Sequence, residues 1–177
     1  MTAITRIPQN ANYLQGTKYL LTFDRIGSTQ YFCQSVNIPG VSIGQAPINT
    51  PMLDIFAPGN KITYNQLNVD FAVDEVLDSW QQIHNWFRSI ASPEGFAERK
   101  RLGDAQNQYK SGNRPKGYSD AILTVLNNLN NPVVRVKFFN VFPISLSDIQ
   151  FDTKMTADDI VYATATFVFD YHNIEPI

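Results

Sequence analysis

The chain has 177 residues, of which 44% are hydrophobic and 17% are charged, and its net charge is −2. We expect a single domain over 1–177 with an ordinary core, and the lone cysteine, Cys33, excludes an internal disulfide. The small net charge excludes an overall basic surface of the kind that binds nucleic acid. The low charge content fits either a surface partly covered by partners or a monomer with a neutral polar exterior.

The N-terminal residues MTAITRIPQNANYL contain no apolar core of signal-peptide length. No stretch of the chain approaches the roughly 18 continuous apolar residues of a transmembrane helix. We therefore expect a soluble protein, made in a cytoplasm, with no membrane partner. Residues 1–16 are polar and contain Pro8 and Gly16, which predicts an arm outside the core.

Two β-prone runs, 18–26 and 29–37, follow the arm, and the Gly27-Ser28 pair between them indicates a short hairpin. Cys33 lies in the second run, where we expect a small buried hydrophobic side chain and not a nucleophile. The periodic pattern then stops. Residues 38–62 contain four prolines and three glycines, which predicts a long irregular loop.

This predicted loop, 38–62, is unusually apolar. Its prolines keep it stiff and reduce the entropy that it loses on docking. It either packs on a neighbouring subunit or covers one end of its own barrel. Its candidate contact residues are Ile43, Pro47, Ile48, Pro51, Leu53, Ile55, Phe56 and Pro58.

A strand and a helix follow the loop. In the strand, apolar residues alternate with more polar ones, which is typical of an antiparallel strand with one buried face. These apolar residues are Leu67, Val69, Phe71 and Val73. Asp74 stands at a helix N-cap position, and one main amphipathic helix is predicted over about 75–91. Its apolar stripe consists of Val76, Trp80, Ile83, Phe87 and Ile90, of which Trp80, Ile83 and Phe87 are the predicted core contacts.

The rest of the chain returns to β patterns after a polar region. Ser92 and Pro93 can open a short second helix, whose basic cluster at 99–101 is more typical of a solvated helix end than of a phosphate site. Residues 104–120 are rich in helix and strand breakers and predict a mobile loop. Alternating runs over 119–127, 133–143 and 160–171 predict further strands. The predicted fold is mainly β, with two packed antiparallel sheets in a sandwich or barrel and one flanking helix.

Motifs for catalysis, metals and cofactors are missing from the sequence. His84 and His172, the only histidines, lie far apart, and neither has ligands at metal-binding spacing. The acidic pairs Asp74-Glu75 and Asp158-Asp159 stand beside element boundaries, where helix or turn capping explains them. We therefore predict no enzymatic activity, no cofactor and no metal. A ligand-binding β-barrel is the alternative to a structural protein.

The order of several short segments resembles the tail tube family of contractile-tailed, T4-like bacteriophages. The similarity covers about 18–171. It rests on YFCQSVNIPG (31–40), Thr50-Pro51, Pro58-Gly59-Asn60-Lys61 with Tyr64, VDFAVDE (69–75) with Trp80 and Trp86, NVFP (140–143), Phe151-Asp152 and ATFVFDY (165–171).

The resemblance implies a function without chemistry. Members of the family form hexameric rings of two-sheet subunits, and stacked rings build a tube through which phage DNA leaves the virion. The proline-rich loop reaches towards the adjacent ring, which corresponds here to 40–61. A repeating tube subunit and a tube terminator (completion) protein both fit. The implied partners are copies of the chain, adjacent tube rings, and sheath, neck or baseplate proteins, with DNA only as passing cargo.

Overall fold

The computed structural model describes residues 12–26, 33–98, 117–152, 154 and 160–177. These residues form one helix of more than one turn, α1 (Asp78–Ile90), and nine strands. The strands are β1 (Tyr19–Phe23), β2 (Cys33–Val36), β3 (Val41–Asn49), β4 (Asp54–Tyr64), β5 (Leu67–Ala72), β6 (Ser119–Leu126), β7 (Pro132–Leu146), β8 (Tyr162–Val168) and β9 (Tyr171–Pro176).

Seven strands form two antiparallel sheets that share β7. The hydrogen-bonded order is β1-β6-β7-β8-β5-β2, and β9 also pairs with β7. The first part of β7 lies between β6 and β9, whereas its last residues, from Phe142 to Leu146, pair with β8. Asn140, which has a positive φ of 55°, lies between the two parts. The prediction of two antiparallel sheets with a flanking helix is confirmed.

The core lies between the inner faces of the two sheets. Leu67, Val69 and Phe71 on β5 are buried, while their neighbours Asn68 and Asp70 are not, as the alternation predicted. The largest fully buried side chains are Trp86, Phe71, Phe138, Phe167, Leu21, Ile26, Leu67, Ile83, Val69, Val136 and Val141. Aromatic and aliphatic side chains together therefore fill the interior of the part of the chain that the structure describes.

The predicted hairpin between 18–26 and 29–37 is wrong. β1 pairs with β6 and β2 pairs with β5, so the two runs lie at opposite ends of the strand order. The Gly27-Ser28 link lies outside the described residues. A local turn signal does not show whether two β-prone runs pair with each other or with distant strands, and here the distant pairing buries their apolar faces.

The two ends of the strand order nevertheless come together through side chains. The Tyr19 phenol lies beside the Cys33 thiol, and burial together with that thiol raises the pKa of Tyr19 to about 12. Burial also raises the pKa of the Cys33 thiol. This partly buried thiol is therefore a packing group at the seam of a barrel-like sandwich, and not an activated nucleophile.

Helix α1 begins at Asp78, three residues later than predicted, with Leu77 in a left-handed conformation before it. Asp74 still provides a hydrogen-bond acceptor for the first N–H groups of the helix, although it lies before the helix begins. Its carboxylate accepts hydrogen bonds from the backbone N–H groups of Asp78 and Ser79, both at 3.0 Å, and from the Ser79 hydroxyl at 2.7 Å. These donors, chiefly those of Ser79, lower the pKa of Asp74 to about 2.

The predicted stripe of α1 needs two corrections. Val76 lies before the helix and is 80% exposed, because the late start takes it off the core-facing side. Trp86, which the stripe omitted, is fully buried and contacts Phe23 and Phe167, with ring centroids 6.3 and 5.8 Å away. Its indole N–H donates to the Gly117 carbonyl at 2.7 Å. Ile83 is buried, and Trp80 and Phe87 pack against the core while partly exposed.

The last predicted strand, 160–171, is two strands. β8 and β9 pair with the same edge of β7, but a bend at Phe169–Asp170 separates them. The bend changes the alternation, so Tyr171 is 44% exposed and does not share the buried face of Phe167 and Phe169. The strands predicted at 119–127 and 133–143 are confirmed as β6 and β7.

Part of the predicted polar region lies outside the described residues. This holds for the basic cluster at 99–101 and for 104–116 of the predicted loop, as it does for most of the N-terminal arm. The helical turn at 96–98 is the last described part before that gap. In the described residues, no helix combines the length and the apolar character that a membrane span needs.

Truncation of Trp86 tests this view of the core. We expect Trp86→Ala to lower the free energy of unfolding by about 3–5 kcal/mol, because it leaves a cavity between Phe23 and Phe167. Val76→Ala, the matched control on the exposed side, should change it by less than about 0.5 kcal/mol. Urea unfolding of the purified variants measures both. Equal losses would contradict the position of the core.

Candidate assembly surface

Residues 41–64 form an extended β-hairpin and not the irregular loop that the sequence predicted. β3 and β4 pair antiparallel from Val41 opposite Tyr64 to Asn49 opposite Asp54, and residues 50–53 make the tip. The prolines in this segment count against a strand in the sequence pattern, so the sequence predicted a loop. In a two-stranded ribbon each strand has an unpaired outer edge, so Pro47 and Pro58 can be accommodated.

A close approach of two glycines makes the hairpin irregular near its middle. The register runs from Ile43 opposite Ile62 to Gln45 opposite Pro58, so β4 carries two extra residues there. A Cβ atom added to Gly59 would lie 2.6 Å from the Gly44 carbonyl oxygen, whereas one added to Gly44 would meet nothing within 4 Å. The backbone approach therefore requires glycine at 59 but not at 44.

Both faces of the hairpin tip are apolar and open. Ile48 and Ile55 are paired on one face, and Pro47 and Phe56 are paired on the other. Ile48, Ile55 and Phe56 are 51%, 52% and 58% exposed, and Met52 at the tip is 98% exposed. A hairpin that buries one face on its own core would show one polar and one apolar face. This one exposes apolar side chains on both.

The structure brings all of the predicted contact residues into this one hairpin, and all of them are exposed. Ile43, Pro47 and Ile48 lie on β3, Pro51 and Leu53 at the tip, and Ile55, Phe56 and Pro58 on β4. In the described residues, β3 and β4 pair only with each other. The hairpin thus does not cover an end of its own barrel there. The sequence reasoning missed Ile62, whose cross-strand pairing with Ile43 was not visible without the register.

Hydrogen bonds fix the root of the hairpin on both sides. The Asn37 side chain donates to the Gln66 carbonyl at 3.0 Å and accepts from the Asn68 N–H at 2.7 Å. The Asn65 N–H donates to the Gly40 carbonyl at 2.9 Å. The two chain segments that enter and leave the hairpin are thereby joined.

One open groove lies beside α1. It measures about 370 Å³ and is lined by Trp80, His84, Phe87 and the end of β7 at 144–146. The Trp80 and His84 rings stack with centroids 5.1 Å apart, and the Trp80 indole N–H donates to the Ser147 carbonyl at 3.2 Å. His84 thus flanks the core, as predicted. The only ionisable side chain in the lining is His84, which provides no pair of groups for acid–base chemistry.

Residues suited to hold a metal do not converge in the described part of the chain. No group of three or more His, Cys, Asp or Glu side chains lies close enough together there to hold an ion. A two-sheet domain with an exposed hairpin defines a class of protein that presents an open apolar surface to its surroundings.

A family model described as phage tail tube protein matches residues 7–175, and the chain therefore belongs to the phage tail tube protein family. Its role is structural, as a component of a phage tail tube and so of the virion tail. The expected alternative, a ligand-binding β-barrel, is not favoured.

One relative and two solved structures are similar to the chain over most of its length. The chain is 25% identical, over 178 residues, to the tail tube terminator protein of Enterobacteria phage T4, covering 96% of this chain and 93% of that protein. It is similar in fold to the tube-terminating cap of the anti-feeding prophage, with a TM-score of 0.65 and 16% identity over 99% and 100% of the two chains. It is also similar to a chain in the PVC sheath/tube terminator structure, with a TM-score of 0.58 and 15% identity over 94% and 99%.

Substitution of the two opposed glycines tests the hairpin geometry. We expect Gly59→Ala to disrupt pairing near the middle of the hairpin, because the new methyl group would overlap the Gly44 carbonyl. Gly44→Ala is the matched control and should leave the pairing intact. Amide hydrogen exchange of 41–64 measures both. Unchanged protection in Gly59→Ala would contradict the close approach.

Proposed function

We propose that this chain is a tail tube terminator: six copies form a closed ring at the end of the tube, and the β3–β4 hairpin makes the contact between subunits and towards the adjacent ring. The observation that carries the proposal is the hairpin, which exposes Ile48 and Ile55 on one face and Phe56 on the other. The similarity to the T4 terminator along nearly the whole of both chains favours a terminator over a repeating tube subunit.

The energetics of the hairpin favour burial between two surfaces. Burial of one isoleucine or phenylalanine side chain contributes roughly 1.5–3 kcal/mol. A single surface placed against the hairpin would bury one face and leave the other in water. Two neighbouring surfaces, one on each face, bury both, and a ring stacked on another ring supplies them.

DNA, in this proposal, passes through the ring as cargo and is not bound. The net charge of the chain is −2, and a strongly basic wall would retain phosphates through counterion release. On the outer face of β7 and β9, Lys137 is paired with Glu175 at 2.8 Å, which removes one free cation from that surface. Tight, salt-sensitive DNA binding by the purified protein would contradict this part.

The remaining partners follow from the position of a terminator. We propose that the ring contacts the last tube ring on one side, and sheath or neck proteins around it, and that it assembles in the host cytoplasm before it joins the virion. The protein acts without enzymatic chemistry or a cofactor. A baseplate partner would fit a tube initiator and is not part of the proposal.

The oligomeric state of the purified, untagged protein tests the terminator assignment. We expect mass photometry to give particles of six times the 20.0 kDa chain, because the ring closes and does not extend by itself. Negative-stain electron microscopy should show single rings with a central hole. Long tubes would instead identify a repeating subunit and contradict the terminator role.

Charge substitutions on the hairpin test its place in the assembly. We expect Ile55→Glu and Phe56→Glu, one on each face, each to raise the concentration needed for ring or stack formation at least about tenfold, because each places a charge in an apolar contact. Both variants should keep the wild-type melting temperature as monomers. Leu129→Glu, at an exposed turn between β6 and β7, is the matched control. Unchanged assembly of both hairpin variants would contradict the proposal.

A further inference from the structure

The hairpin meets the body of the protein at one cluster of rings. In the described residues, Tyr64 is the hairpin side chain that packs against the core. Its ring lies 5.0 Å from the His172 ring and 5.6 Å from the Phe169 ring, measured between centroids. His172 also lies 5.7 Å from Phe138 and 5.8 Å from Phe169. An imidazole thus sits among the rings that the hairpin root contacts, beside the hydrogen bonds of Asn37 and Asn65.

His172 is partly buried there, in surroundings that favour the neutral ring. Its Nδ1 atom is inaccessible to solvent and has no hydrogen-bond partner among the described residues. Burial lowers the pKa of His172 below its ordinary value of 6.5. Protonation of the imidazole therefore carries a free-energy cost of desolvation.

The neighbouring strands offer no carboxylate to a protonated His172. From β4 the group that faces it is the Tyr64 phenol, since Lys61 alternates to the other face. From β7 it is the Phe138 ring, because Lys137 and Glu175 pair with each other on the opposite face.

At the bend before β9, the facing group is the Phe169 ring. The Asp170 carboxylate accepts a hydrogen bond from the Asn140 side chain and not from His172. A cation near aromatic ring faces gains some attraction, which offsets only part of the desolvation cost.

We propose that His172 is an acid-sensitive latch that holds the hairpin root on the body while its imidazole is neutral and releases Tyr64 when the imidazole is protonated. The direction of the pH effect follows from the linkage between protonation of His172 and the stability of the packed state. A histidine with a lowered pKa in the packed state stabilises that state fully above pH 6.5 and progressively less as the pH falls below that value. The hairpin would then be firmly held at neutral pH and free to reorient in acid.

Hydrogen exchange on the full chain, corrected for intrinsic exchange rates and recorded at about pH 7.5 and about pH 5, tests the latch. We expect amide protection of the hairpin root, around 41–43 and 62–65, to fall in acid by a factor of roughly three or more in the wild type. His172→Phe keeps an aromatic ring but cannot take up a proton, so its root should stay protected at both values. His84→Gln removes the other histidine and should behave as the wild type.

Two results would overturn the latch. One is an acid loss of protection in His172→Phe equal to that of the wild type. The other is an NMR titration of wild-type His172, assigned by comparison with His84→Gln, that gives a pKa at or above 6.5. Should His172→Phe fail to fold, His172→Gln, which is also uncharged, takes its place in the same comparison.

The consequence for assembly rests on the proposed function, and a second readout separates the two. Mass photometry over the same pH range should show rings that dissociate in acid for the wild type and persist for His172→Phe. If the root opens in acid while the wild-type rings persist, the latch is supported and the hairpin contact is wrong. If the rings of both proteins dissociate while the root stays protected, the latch is wrong and the hairpin contact is unaffected.

Discussion

The irregularity of strand β7 at Asn140, where its register with β6 shifts, is the constraint on which both sheets depend. This one strand pairs with β6 and β9 along its first part and with β8 along its last, so it can serve both sheets only if it turns between them. Asn140 makes the turn with a φ of 55°, a conformation that asparagine tolerates better than most residues. Its N–H donates to the Asp120 carboxylate at 3.2 Å, and its side chain donates to the Asp170 carboxylate at 2.5 Å. The two acidic residues thus hold the bend at the place where β8 gives way to β9.

The body and the hairpin follow opposite rules of burial. In the body, alternation buries one face of the strands against Trp86 and its neighbours, so a continuous core forms within one subunit. The hairpin places Ile48, Ile55 and Phe56 in solvent on two faces. Its hydrogen bonds are satisfied between its own strands, but its apolar surface is not buried by the described residues. The core that stabilises the fold and the exposed apolar hairpin are therefore different parts of the same chain. For a component of a phage tail tube, this separation fits a subunit that folds first and associates afterwards.

Sequence reasoning succeeded where the local alternation of apolar residues indicates a buried strand face. It failed where residues distant in the sequence decide which strands pair. The alternation of Leu67, Val69 and Phe71 and the run around Phe138 predicted strands correctly. The hairpin between 18–26 and 29–37 was wrong because strand partners are a non-local choice. Residues 38–62 were predicted as a loop because proline and glycine counted against a strand, although a two-stranded ribbon tolerates both. Their apolar character still identified the candidate surface. Trp86 escaped the predicted stripe because the stripe was placed from Val76, which lies before the helix, whereas the buried side of α1 carries Ser79, Ile83, Trp86 and Ser89. No sequence signal shows that His172 meets Tyr64 across the fold.

The central claim is that the hairpin is an interface in the assembled particle. A cryo-electron microscopy reconstruction of the ring formed by the full-length chain tests it most directly. The account predicts a six-fold ring in which Ile55 and Phe56, on opposite faces of the hairpin, are both buried, against a neighbouring subunit or an adjacent ring. A ring in which the hairpin projects into solvent on both faces, or folds back onto its own subunit, would contradict the claim.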